Sequence, residues 1–119
     1  MAMRKLLSAM VLIVSMGVTG SVCAQDFEKG MKASQAGDYA TALKEWRYLA
    51  EQGDAAAQYA LGWMYRQGRG VVQNEKEAVT WFRKAAEQGD ASAQHNLGWM
   101  YENGRGVVQD YKEAVTWYL

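Results

Sequence analysis

The stretch "LGWMYRQGRGVVQ" runs from Leu61 to Gln73, and "LGWMYENGRGVVQ" follows it thirty-six residues later, from Leu97 to Gln109. Extended on both sides, Gly53–Arg83 aligns with Gly89–Leu119 without a gap, with 22 identities in 31 positions. Self-similarity at a period in the thirties is the mark of a solenoid, in which each unit buries its apolar face against its neighbour. An imperfect earlier copy precedes the pair. "GDYATALKEWRYLAEQGD", Gly37–Asp54, matches the second half of the unit, with Ala42 over Ala78, Trp46 over Phe82 and Ala50 over Ala86.

Each unit reads as two helices. Asp54 and Asp90 directly follow glycines and suit the N-cap position, where a carboxylate accepts the free backbone N–H groups of the first turn. Behind Asp54, the residues Ala57, Ala60, Leu61, Met64 and Tyr65 fall at i, i+3, i+4, i+7 and i+8, one apolar face of a helix. Gly68 then supplies the positive φ that closes a helix. In "GRGVVQ" the chain turns, and its two valines are expected to plug the space beneath. The second helix starts at Asn74, or at Asp110 in the last copy, each with a glutamate three positions on (Glu77, Glu113), the pattern of a reciprocal capping box. Ala78, Trp81, Phe82, Ala85 and Ala86 form its apolar face. Gly62 and Gly98 sit inside helices, where glycine costs about 1 kcal/mol relative to alanine. The compensating gain is close approach of a neighbouring helix where a Cβ would clash. The expected architecture is all-α, a right-handed α-solenoid of stacked antiparallel helical hairpins. It holds about two and a half to three units, approximately 26–52, 53–88 and 89–119, the last one incomplete.

With "LGWMYENGRGVVQDYKEAVTWY" (Leu97–Tyr118) and "AAEQGDASAQ" (Ala85–Gln94), the chain resembles the Sel-1-like repeat family, relatives of the tetratricopeptide repeats with a slightly longer unit. It departs at Asn74, where the family pattern has Asp, and at Ala60, where Asn is usual. The resemblance implies an adaptor whose concave face grips other proteins. For some disulfide-rich relatives it also implies an alternative, β-lactam binding or weak β-lactam hydrolysis. This sequence lacks their cysteines and any Ser-x-x-Lys element.

The first 24 residues are not expected to belong to the fold. Arg4 and Lys5 precede an apolar run from Leu6 to Val18, and Val22-Cys23-Ala24 closes the segment. This is the layout of a secretory signal peptide cleaved after Ala24. Gly20 and Val22, at −3 and −1 from Cys23, fit an acylated lipoprotein cysteine poorly. Export to a bacterial periplasm or the medium is therefore expected, without stable membrane insertion after cleavage. Residues 25–119 keep 11 of the 13 basic and all 13 acidic residues, a formal balance of −2. That balance lacks the basic footprint of a nucleic-acid binder and the polybasic run that holds a chain on anionic lipid.

No catalytic, cofactor or metal site is expected. Ser92 and His95 can share a helix face, but a nucleophile and base also need an orienting third group and an oxyanion site. One histidine and no cysteine beyond Cys23 leave no metal-ligand spacing. The copies differ along the first helix at Ala56/Ser92, Tyr59/His95, Ala60/Asn96, Arg66/Glu102 and Gln67/Asn103, a stripe away from the Leu61–Met64–Tyr65 face. First helices line the concave surface of stacked hairpins, so this stripe is expected to face the groove, with Trp63 and Trp99 beside it. Tyrosine and tryptophan dominate binding hot spots. The candidate site is therefore a groove for a protein or peptide partner formed by Tyr59, Trp63, Arg66, His95, Trp99 and Glu102. Covering the seam between units is the competing role for both tryptophans. Trp46, Trp81 and Trp117, in second helices, are expected in the core. Ala114, Trp117 and Tyr118 lie in a last helix with no following unit among these residues. An end of that kind favours marginal stability, self-association or a longer natural array.

Overall fold

The computed structural model describes residues 26–119; the expected signal peptide, Cys23 and the cleavage point after Ala24 lie outside them. The described chain forms six helices and no strand. They are α1 (26–35), α2 (Tyr39–Glu51), α3 (Ala55–Gln67), α4 (Glu75–Glu87), α5 (Ala91–Asn103) and α6 (Tyr111–Tyr118). From α2 onward each helix packs against the next. The result is an α-solenoid of three stacked hairpins, α1–α2, α3–α4 and α5–α6.

Local chemistry sets the helix ends. Asp54 and Asp90 accept the N–H groups of Ala57 (3.1 Å) and Ala93 (2.9 Å), and Asn74 and Asp110 cap α4 and α6 through Glu77 and Glu113 N–H. The reciprocal half of the expected capping box is not made. The N–H groups of Asn74 and Asp110 donate instead to the carbonyls of Tyr65 and Tyr101, each at 2.9 Å. The turn folds each cap residue back onto the preceding helix, so Glu77 and Glu113 are not needed there. At the other end of α3 and α5, Gly68 and Gly104 adopt φ of 69° and 62° and donate to Met64 and Met100 carbonyls. The turn valines divide. Val71 and Val107 pack against the core, whereas Val72 and Val108 are exposed. Adjacent residues of an extended segment point to opposite sides, so the pair cannot both plug the space.

Two core clusters lie along the solenoid. One joins α2, α3 and the Trp81 ring around Trp46, Leu49, Leu61 and Met64. The other joins α4 and α5 around Phe82, Leu97 and Met100. Each fully buried leucine in this list contributes about 1.5–3 kcal/mol of transfer free energy. Trp46 and Trp81 are buried as expected, while Trp117 is half-buried.

The first unit holds more of the repeat than alignment reveals. Gly62 meets the Phe82 ring, with an added Cβ 2.7 Å from Cδ1, and Gly98 meets the Tyr118 ring equally closely. Gly30 in α1 abuts Trp46 in the same way. The ring pairs recur with it: Phe27–Trp46 at 5.9 Å, Tyr59–Phe82 at 5.8 Å and His95–Tyr118 at 5.5 Å. So α1 is the counterpart of α3 and α5. Its connection to α2, residues 36–38, is four residues shorter than the 68–74 connection between α3 and α4. That deletion hides the homology of the first helix from an ungapped comparison.

Candidate functional site

The register set by Gly30, Gly62 and Gly98 puts Phe27, Tyr59 and His95 in one row along the solenoid. Met31, Trp63 and Trp99 form a second row, and Ser34, Arg66 and Glu102 a third. At the junction of the second and third units, Arg66 reaches across. Its guanidinium lies 4.2 Å from the Trp99 ring centroid and donates to Asn96 Oδ1 at 2.9 Å. A stacked, hydrogen-bonded guanidinium bridges α3 and α5 and is worth about 0.5–2 kcal/mol as a cation–π contact.

At the junction of the first and second units the same positions hold Ser34 and Ala60. Neither side chain can reach across, and a cleft of about 310 Å³ remains open between α1 and α3. Tyr59, Ala56 and Trp63 form one wall, Phe27 and Met31 the other, with Trp46 behind and Asp90 at the rim. The lining is almost wholly apolar. Trp63 has two duties, since it packs against both core clusters and also lines the cleft. The ring therefore covers the seam between units and at the same time lines an open cleft.

The six candidate residues separate into three places. Tyr59 and Trp63 share the cleft. Arg66 and Trp99 line a smaller recess of about 200 Å³ with Gln73, Glu75 and Arg105. His95 is exposed, its ring against Tyr118, and Glu102 accepts a 2.7 Å hydrogen bond from the Tyr118 hydroxyl. Partial burial, reinforced by that carboxylate, pushes the Tyr118 hydroxyl up to about 12. Phe27, Met31, Ser34 and Asp90 were not among the sequence candidates. The signal that finds the three α1 residues Phe27, Met31 and Ser34 is the Gly30–Trp46 contact, which restores the register of α1; Asp90, the N-cap of α5, is brought to the rim by stacking alone.

Other chemistry is sparse. Ser92 and His95 are both exposed on α5. Among the described residues no three His, Cys, Asp or Glu side chains converge to hold a metal ion. No helix among them is long and apolar enough to cross a membrane.

A solenoid of helical hairpins with an inter-unit cleft defines a class of binding scaffold, and comparison with known proteins places the chain within it. The Sel1 repeat model matches residues 55–90 and 91–119, and the chain belongs to the Sel1 repeat family. Such proteins are generally protein–protein interaction modules. A Sel1 repeat protein from Oxalobacter formigenes is 40% identical and superposes with a TM-score of 0.73 over 78% of this chain and 37% of that one. A protective antigen of uropathogenic Escherichia coli with an SLR fold is 36% identical, with a TM-score of 0.78 over 83% of this chain and 22% of that one. Cysteine rich protein B of Helicobacter pylori, 23% identical with a TM-score of 0.60 over 81% and 83% of the two chains, is alike in fold. A 52-residue stretch, 44% of this chain, is 40% identical to an exopolysaccharide production negative regulator of Rhizobium leguminosarum bv. viciae and covers 20% of it. The chain thus spans 20% of the length of that regulator, 22% of the antigen and 37% of the Oxalobacter protein.

Proposed function

We propose that the protein is an exported, non-enzymatic adaptor that holds an apolar segment of a partner protein in the cleft between α1 and α3. One observation carries this reading. The junction between the first two units is left open by Ser34 and Ala60, whereas the next junction is spanned by the Arg66–Asn96 hydrogen bond. The cleft offers Tyr59, Trp63, Phe27 and Met31 to a ligand, and aromatic walls around a desolvated pocket are where binding energy concentrates. Its volume suits one or two bulky apolar side chains rather than a polar metabolite. Export is supported by the basic start, apolar run and small residues of the first 24 positions. An intact mass beginning at Gln25 is expected for exported material, and an acylated chain beginning at Cys23 would refute it.

The test closes the cleft with the protein's own device. The double substitution Ser34→Arg and Ala60→Asn installs the pair that spans the next junction. It is expected to abolish capture of the partner recovered from the producing cell's envelope, with helical circular dichroism unchanged. Met31→Glu, at an exposed wall position, should do the same by placing a charge in an apolar site. Retained capture by both variants would place the partner elsewhere on the molecule.

A further inference from the structure

Two arginines share one carboxylate in the recess between the second and third units. Arg105 Nε donates to both Glu75 oxygens, at 3.1 and 2.9 Å. Arg66 lines the same recess from α3, stacked on Trp99. The Arg105 hydrogen bonds hold the Glu75 carboxyl below its usual range, and the Arg66 charge adds to the effect. Two guanidinium groups against one carboxylate leave one positive charge uncompensated, and the other polar lining is amide, from Gln67 and Gln73. Glu102, one turn beyond Trp99 on α5, faces the Tyr118 hydroxyl instead. Nor do the internal contacts use every donor. Arg66 commits Nη1 to Asn96, and Arg105 commits Nε and Nη2 to Glu75. Nη2 of Arg66 and Nη1 of Arg105 have no partner among the described residues. The repeat itself does not require this arrangement. At the first junction Arg69 lies 5.4 Å from the Tyr39 ring centroid, Tyr39 standing in place of Glu75 and Ser34 in place of Arg66.

The recess also continues the line of the cleft. Trp63 walls the cleft, and Trp99, its counterpart one unit on, walls the recess. Packed helices lie about 10 Å apart and an extended chain advances about 3.3 Å per residue, so about three residues carry a segment from one to the other. We infer that the recess receives a carboxylate of the same partner segment whose apolar side chain fills the cleft, with Arg66 and Arg105 as its donors. The assignment rests on the α1–α3 cleft as the partner's seat and adds the chemistry of what is seated there. Planar guanidinium groups match a carboxylate in shape. A single uncompensated charge suits a monoanion, whereas Glu75 repels the second charge of a phosphate.

The probe is a phage-displayed library of random linear peptides, selected on the immobilised full chain in two formats, C-terminus fused and C-terminus free. Enrichment of a large apolar residue with Asp or Glu about three positions away is expected. Acid enriched in both formats assigns a side-chain carboxylate. Enrichment confined to free peptides ending about three residues past the apolar one assigns the chain terminus, and either meets the expectation. A selected acidic peptide and its Glu→Gln analogue are then titrated by tryptophan fluorescence. The analogue should bind about tenfold more weakly, as loss of a hydrogen bond to a charged group implies. The ratio of the two affinities should fall toward unity in Arg66→Gln and rise above the parent's in Glu75→Gln; a ratio taken within one variant is insensitive to a small change in fold. Apolar enrichment without an acid, or a ratio indifferent to both substitutions, overturns the inference and leaves the cleft intact as a binding site. Selection of peptides without an apolar residue, still captured by the Ser34→Arg, Ala60→Asn variant, overturns the cleft and this inference with it.

Discussion

Gly62→Ala adds one methyl group at a helical position, and two opposing terms decide the outcome. Alanine is favoured over glycine inside a helix by about 1 kcal/mol. The new Cβ, however, would stand 2.7 and 2.8 Å from two Phe82 ring carbons and 3.2 Å from the Ala78 carbonyl oxygen. Phe82 is fully buried and has the Tyr59 ring 5.8 Å behind it, so relief requires α4 to move away from α3. Overpacking of that kind costs about 1–3 kcal/mol, so the clash wins and the net loss is expected to reach about 2 kcal/mol. For a domain of this size each kcal/mol lowers Tm by roughly 4–8 °C. Gly98→Ala is the control. Its Cβ would meet the Tyr118 ring at the same 2.7 Å, but Tyr118 is 42% exposed near the end of α6 and can swing outward. The helix term then offsets the contact, and Gly98→Ala should lie within about 0.5 kcal/mol of the parent. Urea titration followed by circular dichroism, with thermal melts, measures both. Equal stability of the two variants would refute the claim that a buried, immobile ring is what excludes the Cβ.

Three further outcomes are expected. Arg105's hydrogen bonds hold the Glu75 carboxyl below its usual 4.5, so the stability it contributes is present above that value and lost as pH falls through the folded pKa. The stability gap between the parent and Glu75→Gln should therefore narrow in urea titrations below pH 4.5, and a gap indifferent to pH would contradict the ion pair. Tyr118 is raised from 10.0 to about 12, so its contribution is lost as pH rises across that interval, and Tyr118→Phe should remove this part of the alkaline sensitivity. Asn74→Ala removes the cap bonded to Glu77 N–H and should cost about 1 kcal/mol, whereas Leu61→Ala in the first core cluster should cost roughly 2–5 kcal/mol.

Most of the fold was legible in residue order, because its rules are local. A carboxylate after a glycine caps a helix through backbone groups three residues away, and an apolar face recurs every three or four positions. Gly62 and Gly98 announced a close helix contact that the Phe82 and Tyr118 rings make. The capping-box expectation failed for a non-local reason. The Asn74 and Asp110 N–H groups find carbonyls on the preceding helix, a partner that spacing within one helix cannot show.

The cleft depended on distances that sequence order does not contain. Arg66 and Asn96 are thirty residues apart yet joined, and Ser34 and Ala60 occupy the matching places across the junction of the first unit, whose turn is four residues shorter, with the second. Variation along the α3 and α5 stripe could be seen by comparing copies, but not that one pair spans its junction while the other leaves it open. Likewise Trp63 could be read as seam or as groove, and the ring packs against both core clusters while also lining the cleft. Helices and caps are fixed by neighbours along the chain. Whether a space between two units is filled is fixed by the combined reach of side chains that meet only after the hairpins stack.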